Sequence, residues 1–117
     1  MKAMDTERAV CESFQSAAQL VARRWVPQIV WVLRDGPRRY SVVRTAIPEI
    51  SDTVLSDRLR ELEAAGILTR EVTPSTPVLI EYALTDRGRD LAEVIDGLAT
   101  WADRWATGER NRAPARP

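Results

Sequence analysis

The sequence contains no histidine and a single cysteine, Cys11. The first absence removes a histidine-based triad and histidine-ligated zinc, and one thiol cannot build a thiolate metal site. No catalytic constellation, no metal and no cofactor are expected. A lone cysteine also rules out an internal disulfide, in keeping with a reducing cytoplasm. Lysine is nearly missing: Lys2 is the only one, so positive charge is carried by arginine, the better fork for phosphates and guanine edges. No apolar run approaches the ~20 residues that span a bilayer, and the N-terminus lacks a signal-peptide core. Net charge is absent too, with 17 basic and 17 acidic residues in 117, so the overall balance says nothing about nucleic acid or membrane. What remains is a cytosolic chain with room for one domain, one core and a tail.

The zero balance hides a cluster, because Arg34, Arg38, Arg39 and Arg44 stand close together with only Asp35 among them. Just beyond lies the stretch that organises the chain, Ser51 to Gly66. Serine before a helical pattern caps its first free N–H groups, and glycine after it supplies a left-handed end. Leu55, Leu59 and Leu62 recur at the spacing of one buried face. Thr53, Ser56, Asp57, Arg60 and Ala64 point the other way, leaving an outer face that is short, polar and armed with one guanidinium.

The pattern predicts a first amphipathic helix within Asp5 to Arg23, carrying Val10, Phe14, Ala17 and Val21, and a strongly apolar second one from Val26 to Arg34. Asp35-Gly36-Pro37 stops it. A short helix fits Tyr40 to Ala46 with Tyr40, Val43 and Ile47 inward, then Ile47-Pro48-Glu49-Ile50 makes a compact turn into the Ser51 helix. Short helix, tight turn and second helix form a helix-turn-helix. Ile67 to Val72 and Val78 to Leu84 read as strands around the turn formers Thr73 to Pro77, a hairpin in the position of a wing. Thr85 then caps a last helix with Asp86 at its positive end. Leu91, Val94, Ile95, Leu98, Trp101 and Trp105 give that helix more apolar surface than so small a domain buries alone; with Phe14 of the first helix they are assigned to dimerisation. The expected fold is mainly α with a small β-hairpin, a winged helix-turn-helix domain over 10–106 with N- and C-terminal dimerisation helices. An N-terminal arm over 1–9 precedes it and a disordered tail over 107–117 follows.

The order of elements resembles the HxlR family of bacterial winged helix-turn-helix regulators. The matching residues are Trp25 with its apolar helix, Gly36-Pro37-Arg38-Arg39-Tyr40, Ile47 to Ser51, Leu55 to Gly66, Arg70, Pro77, Glu81 to Thr85 and Gly88. They span roughly Cys11 to Trp105. Three positions depart from the family pattern. Arg23-Arg24 replace Gly-Lys before the tryptophan, and Glu12 follows the cysteine where proline is frequent. Pro77-Val78-Leu79-Ile80 replace Pro-Pro-Arg-Val, so Leu79 stands where a basic wing residue is expected and the wing's contact with DNA is left open.

The resemblance implies a homodimeric, sequence-specific DNA-binding transcriptional regulator on an inverted-repeat operator, with the Ser51 helix in the major groove. Arg60 would fork onto guanine or grip a phosphate, while Ser51, Thr53 and Ser56 would bond base edges or backbone. Asp57 would accept from cytosine or hold Arg60 in place. Arg38, Arg39 and Arg44, at and inside the preceding helix, are assigned to phosphates. Arg58, at the edge of the apolar stripe, either reaches a phosphate or pairs internally.

The resemblance further implies that Cys11 is an oxidant or electrophile sensor, forming an intersubunit or mixed disulfide; the plain alternative is core packing. Glu12 beside it would raise the thiol pKa and Arg8 one turn earlier would lower it. A small aromatic effector is a further partner, in an apolar pocket lined with the help of the four tryptophans. The rival to all of this is a winged-helix module for protein–protein contact.

Overall fold

The computed structural model describes residues 11–107. The N-terminal arm, the part of the expected first helix before Cys11 and nearly all of the expected tail lie outside the described residues. Eight elements follow in order: α1 (Glu12–Ala22), α2 (Val26–Leu33), β1 (Arg38–Arg39), α3 (Tyr40–Ala46), α4 (Asp52–Ala64), β2 (Leu68–Thr73), β3 (Leu79–Leu84) and α5 (Asp86–Thr107). No helix among the described residues is long and apolar enough to cross a membrane.

α4 begins and ends as its terminal residues dictate. The Val54 N–H donates to the Ser51 hydroxyl at 3.2 Å. At the other end Gly66 takes φ 76°. Its N–H donates to the Glu63 carbonyl at 3.0 Å and the next, of Ile67, to the Leu62 carbonyl at 2.9 Å, the paired bonds of a Schellman end. Ser51→Ala is expected to cost about 1 kcal/mol of stability. The test is a thermal melt, and an unchanged midpoint would mean that water replaces the cap.

Between these ends Leu55, Leu59 and Leu62 enter a core with Val26, Ile29, Val30 and Leu33 of α2. Val43, Ile47 and Ile50 from α3 and the turn join them, as do Ile67, Leu68 and Leu84 from the sheet. Among the described residues no polar or charged side chain is buried. Apolar contact therefore holds the domain, and none of the ion pairs among the described residues is fully buried.

The wing is larger than the expected hairpin. β2 and β3 pair antiparallel from Leu68↔Leu84 to Thr73↔Leu79, one residue later than the hydrophobic pattern placed the first strand, and Val78 stays outside β3. On the far side β3 also pairs with β1, giving a three-stranded sheet in the order β1-β3-β2. Two arginines carry no alternation of apolar and polar residues, so β1 has no signature of its own.

The junction from sheet to α5 is tight. The Thr85 hydroxyl donates to the Gly66 carbonyl at 2.6 Å and accepts from the Gly88 N–H at 3.1 Å. That confirms Thr85 as the cap of α5. The helix then buries Ala92 and Ile95 in the core, Ile95 at 3 % exposure. Ile95 thus leaves the set assigned to dimerisation, because its side of α5 packs on the protomer's own core. Leu91 is half-buried against the same core. Phe14, Val94, Leu98, Trp101 and Trp105 remain exposed.

Candidate DNA interface

α3, the turn and α4 form the helix-turn-helix, and its two helices are stapled at their near ends. Asp52, the first residue of α4, accepts from Arg44 Nε at 2.8 Å and from the Tyr40 hydroxyl at 3.0 Å through the same oxygen. The Arg44 bond, then the Tyr40 bond, holds the Asp52 carboxyl below the usual carboxylate range, so it is ionised at neutral pH. The sequence does not reveal this staple, since Arg44 lies on another element across the turn.

Along the outer face of α4, Ser51 and Thr53 are exposed and Ser56 and Asp57 half-buried. Arg60 Nη2 donates to Asp57 Oδ1 at 2.6 Å. Of the two roles open to Asp57, the free protein uses the second: it holds Arg60. The Arg60 side chain stays 71 % exposed.

Arg38 and Arg39 do not extend α3; they form β1, and Arg39 occupies the N-cap position of α3 without a side-chain capping bond. Opposite partners in a sheet share a face and neighbours alternate. Arg38 pairs with Tyr82, which also pairs with Arg70, whereas Arg39 pairs with Glu81, which also faces Glu71. The two arginines therefore project to opposite faces rather than forming one patch. Arg39 sits by an acidic row, and Arg38 shares its face with Arg70.

Arg70 joins the site from the structure. A groove of about 380 Å³ between α4 and the sheet is lined by Tyr40, Ser56, Arg60, Glu63, Arg70 and Tyr82. It brings a strand arginine alongside the one on α4. The available signal was strand alternation, which places Arg70 on the face of buried Leu68 but beyond the edge of the core. The wing tip adds hydroxyls and apolar groups only, with Val72 and Val78 exposed and no basic residue from Thr73 to Leu79.

These elements carry the decisive match: a family model described as HxlR-like helix-turn-helix covers residues 20–110. The chain belongs to the HxlR-like family. YvaP of Bacillus subtilis, an HTH-type transcriptional regulator, is 44% identical over 96 residues, covering 82% of this chain and 89% of that protein. The HTH-type transcriptional regulator YodB of Bacillus subtilis is 41% identical over 96 residues, 82% of this chain and 86% of YodB. Its reduced form superposes with a TM-score of 0.74 over 81% of this chain and 93% of that one. YodB structures also include diamide-treated and quinone-bound forms. The redox regulator HypR in its oxidized form gives a TM-score of 0.74 at 31% identity over 78% of this chain and 94% of that one. As an HxlR-like protein this chain is a DNA-binding transcriptional regulator with a winged helix-turn-helix fold, and not a winged helix limited to protein contact.

Two further places hold residues singled out from the sequence, the lone thiol and the tryptophans. Cys11 is half-buried at the residue before α1, and its Sγ lies 3.3 Å from the Ser13 hydroxyl. That hydroxyl, and then the Phe14 N–H at the helix start, pull the thiol below its ordinary pKa. Arg8, expected to lower it, lies outside the described residues; among the described ones Ser13 has the largest effect. The second place is an apolar groove of about 420 Å³ between α2, α5 and the turn, where Trp25 and Trp31 meet Ile47 and Leu98. Two of the four tryptophans line it. Trp101 and Trp105 lie exposed further along α5.

Proposed function

We propose that the chain acts as a homodimer that reads an inverted-repeat operator with α4 and loosens or changes its grip when Cys11 is oxidised or alkylated. The observation that carries this reading is the outer face of α4, where a capped, core-anchored helix holds Arg60 out on an Asp57 tether. Arg60 reads a base edge or a phosphate, Ser51, Thr53 and Ser56 supply hydroxyls, and Arg38, Arg44 and Arg70 flank them toward the backbone. Arg39, on the opposite sheet face, is the weakest member of the assigned set.

Pairing through Phe14 and the exposed α5 residues brings two α4 helices to successive major grooves, about one turn of DNA apart. A lowered thiol pKa raises the thiolate fraction that attacks disulfides and electrophiles. With diamide, two protomer thiols give up two electrons and two protons to the reagent and form one S–S bond. YodB has been seen diamide-treated and HypR oxidized; the same chemistry is assigned here to Cys11.

Selection of fragmented DNA by the purified protein, with and without reductant, tests both parts. Enrichment of one inverted repeat is expected with reductant and is lost or altered without it, and a Cys11→Ser chain binds equally in both arms. Enrichment of unrelated fragments would sink the operator reading. A Cys11→Ser chain that still responds to oxidant would move sensing elsewhere. On the selected fragment Arg60→Ala is expected to weaken binding by about 1–3 kcal/mol with the dimer intact, and an unchanged affinity would take Arg60 out of the interface.

A small aromatic effector fits the groove beside Trp25 and Trp31, whose fluorescence would report it. No quenching by a panel of quinones and phenols would count against this second input.

A further inference from the structure

We propose that Arg23, Arg58 and Glu61 are positioning residues for the recognition helix, tying α4 to the α1–α2 junction so that the placement of α1 and the grip of α4 on DNA are linked. The proposal rests on DNA binding by α4 and is independent of Cys11.

Only Arg23, Arg24 and Trp25 separate α1 from α2, and each is held. Arg23 presents Nε and Nη2 to the two oxygens of Glu61 at 2.8 and 2.9 Å. Both prongs of the fork are used, which fixes orientation as well as distance. Arg58, one turn before Glu61 on α4, donates through Nε to the Arg24 carbonyl at 3.0 Å, and its Nη1 stands 3.5 Å from Glu61 Oε2. Its side chain is only 15% exposed. Trp25 itself sits at φ 77°, the one non-glycine residue among those described in the left-handed region. Such a conformation persists only where its surroundings dictate it.

The cluster is a matter of geometry more than of stability. Exposed ion pairs contribute little to folding, and Arg23 and Glu61 are each nearly half exposed. Yet α1 places no side chain fully in the core, with Leu20 packing only at its margin. The polar ties therefore set where α1 leaves the protomer. On α4 they occupy the strip beside the Asp57–Arg60 pair, so a shift of the junction reaches the side chain that faces DNA. Linkage between two sites is reciprocal: if α1 biases α4, DNA on α4 must steady the junction.

The test is amide hydrogen exchange on the full chain with and without the DNA fragment it selects. The Arg23 and Val26 amides, bonded to the Leu20 and Arg23 carbonyls, report the junction, and the amides of α4 report bound DNA. In the wild type, DNA is expected to slow the junction amides about fivefold or more, the lower range of ordinary coupling between sites. Glu61→Gln and Arg23→Gln should abolish that slowing while α4 stays protected. Arg23→Lys, which keeps the charge and loses the fork, should retain only part. If Glu61→Gln fails to fold, Arg23→Gln carries the test alone, since its exposed side chain leaves no buried group without a partner. Equal slowing in all variants, or protection of α4 with none at the wild-type junction, would overturn the proposal. Absence of α4 protection in the wild type would instead overturn DNA binding by α4, and the linkage with it.

Discussion

Raising salt from about 50 to 200 mM is expected to weaken binding of the dimer to its selected DNA by about a thousandfold, a log–log slope near −5. The chain has no net charge, so the effect must come from the few arginines that meet phosphates. Arg38, Arg44 and Arg70 on each protomer give a dimer about six such contacts, and each releases close to one counterion. Arg44 is already paired with Asp52 at 2.8 Å, which makes it the informative member. If it turns from Asp52 to a phosphate, Arg44→Ala should flatten the slope by about two, one for each protomer, with little change in sequence preference. A slope unchanged in that variant would leave Arg44 as a staple between α3 and α4 only. A wild-type slope near zero would remove all three arginines from the interface and leave recognition to Arg60 and the hydroxyls of α4. Anisotropy titrations across a salt series decide among these outcomes.

The second large effect is on folding. Gly88→Ala is expected to cost about 3 kcal/mol, near the upper end for an overpacked site, and so to lower the melting midpoint by roughly 15 °C for a domain of this size. A Cβ on Gly88 would stand 2.1 Å from the Ile67 carbonyl oxygen and 3.1 Å from Leu84 Cδ2. The first obstacle is backbone, and that carbonyl is fixed by the Thr85 N–H at 3.0 Å. Nothing there can swing aside. The junction seats the end of α4, the wing and α5 together, so DNA binding should fall in parallel with folding. Gly97→Ala is the control. Its Cβ meets nothing within 4 Å in the protomer, and replacing a mid-helix glycine should add about 0.5–1 kcal/mol. If Gly88→Ala melts with the wild type, the α5 start has slack that the packing denies.

Much of this architecture was legible because it is written locally. The serine–leucine–glycine frame of α4 carries its own start, face and stop, and the structure returns Asp52–Ala64 between the Ser51 cap and Gly66. Thr85 announces α5 in the same way. What escaped depends on partners distant in the chain. β1 exists only because β3 offers it an edge. Arg38 and Arg39 look like one basic patch until strand alternation separates them, and Arg70 looks like any strand arginine until the sheet turns it toward Arg60. Periodicity gave α5 a long apolar stripe, without saying which part the protomer keeps. Ile95 went inward and Trp101 outward. The Asp52 staple and the Glu61 fork join elements that no short window spans.

In the proposed dimer a second copy covers the bare stripe of Val94, Leu98, Trp101 and Trp105 on α5, and that pairing would make copy number part of the regulation. A face finished only by a second copy means that, below the concentration at which chains pair, operator occupancy follows the square of the amount of protein, and halving synthesis cuts it about fourfold. Expression level would then act as a threshold, and a chain scarce enough to remain single would be silent whatever the state of its thiol.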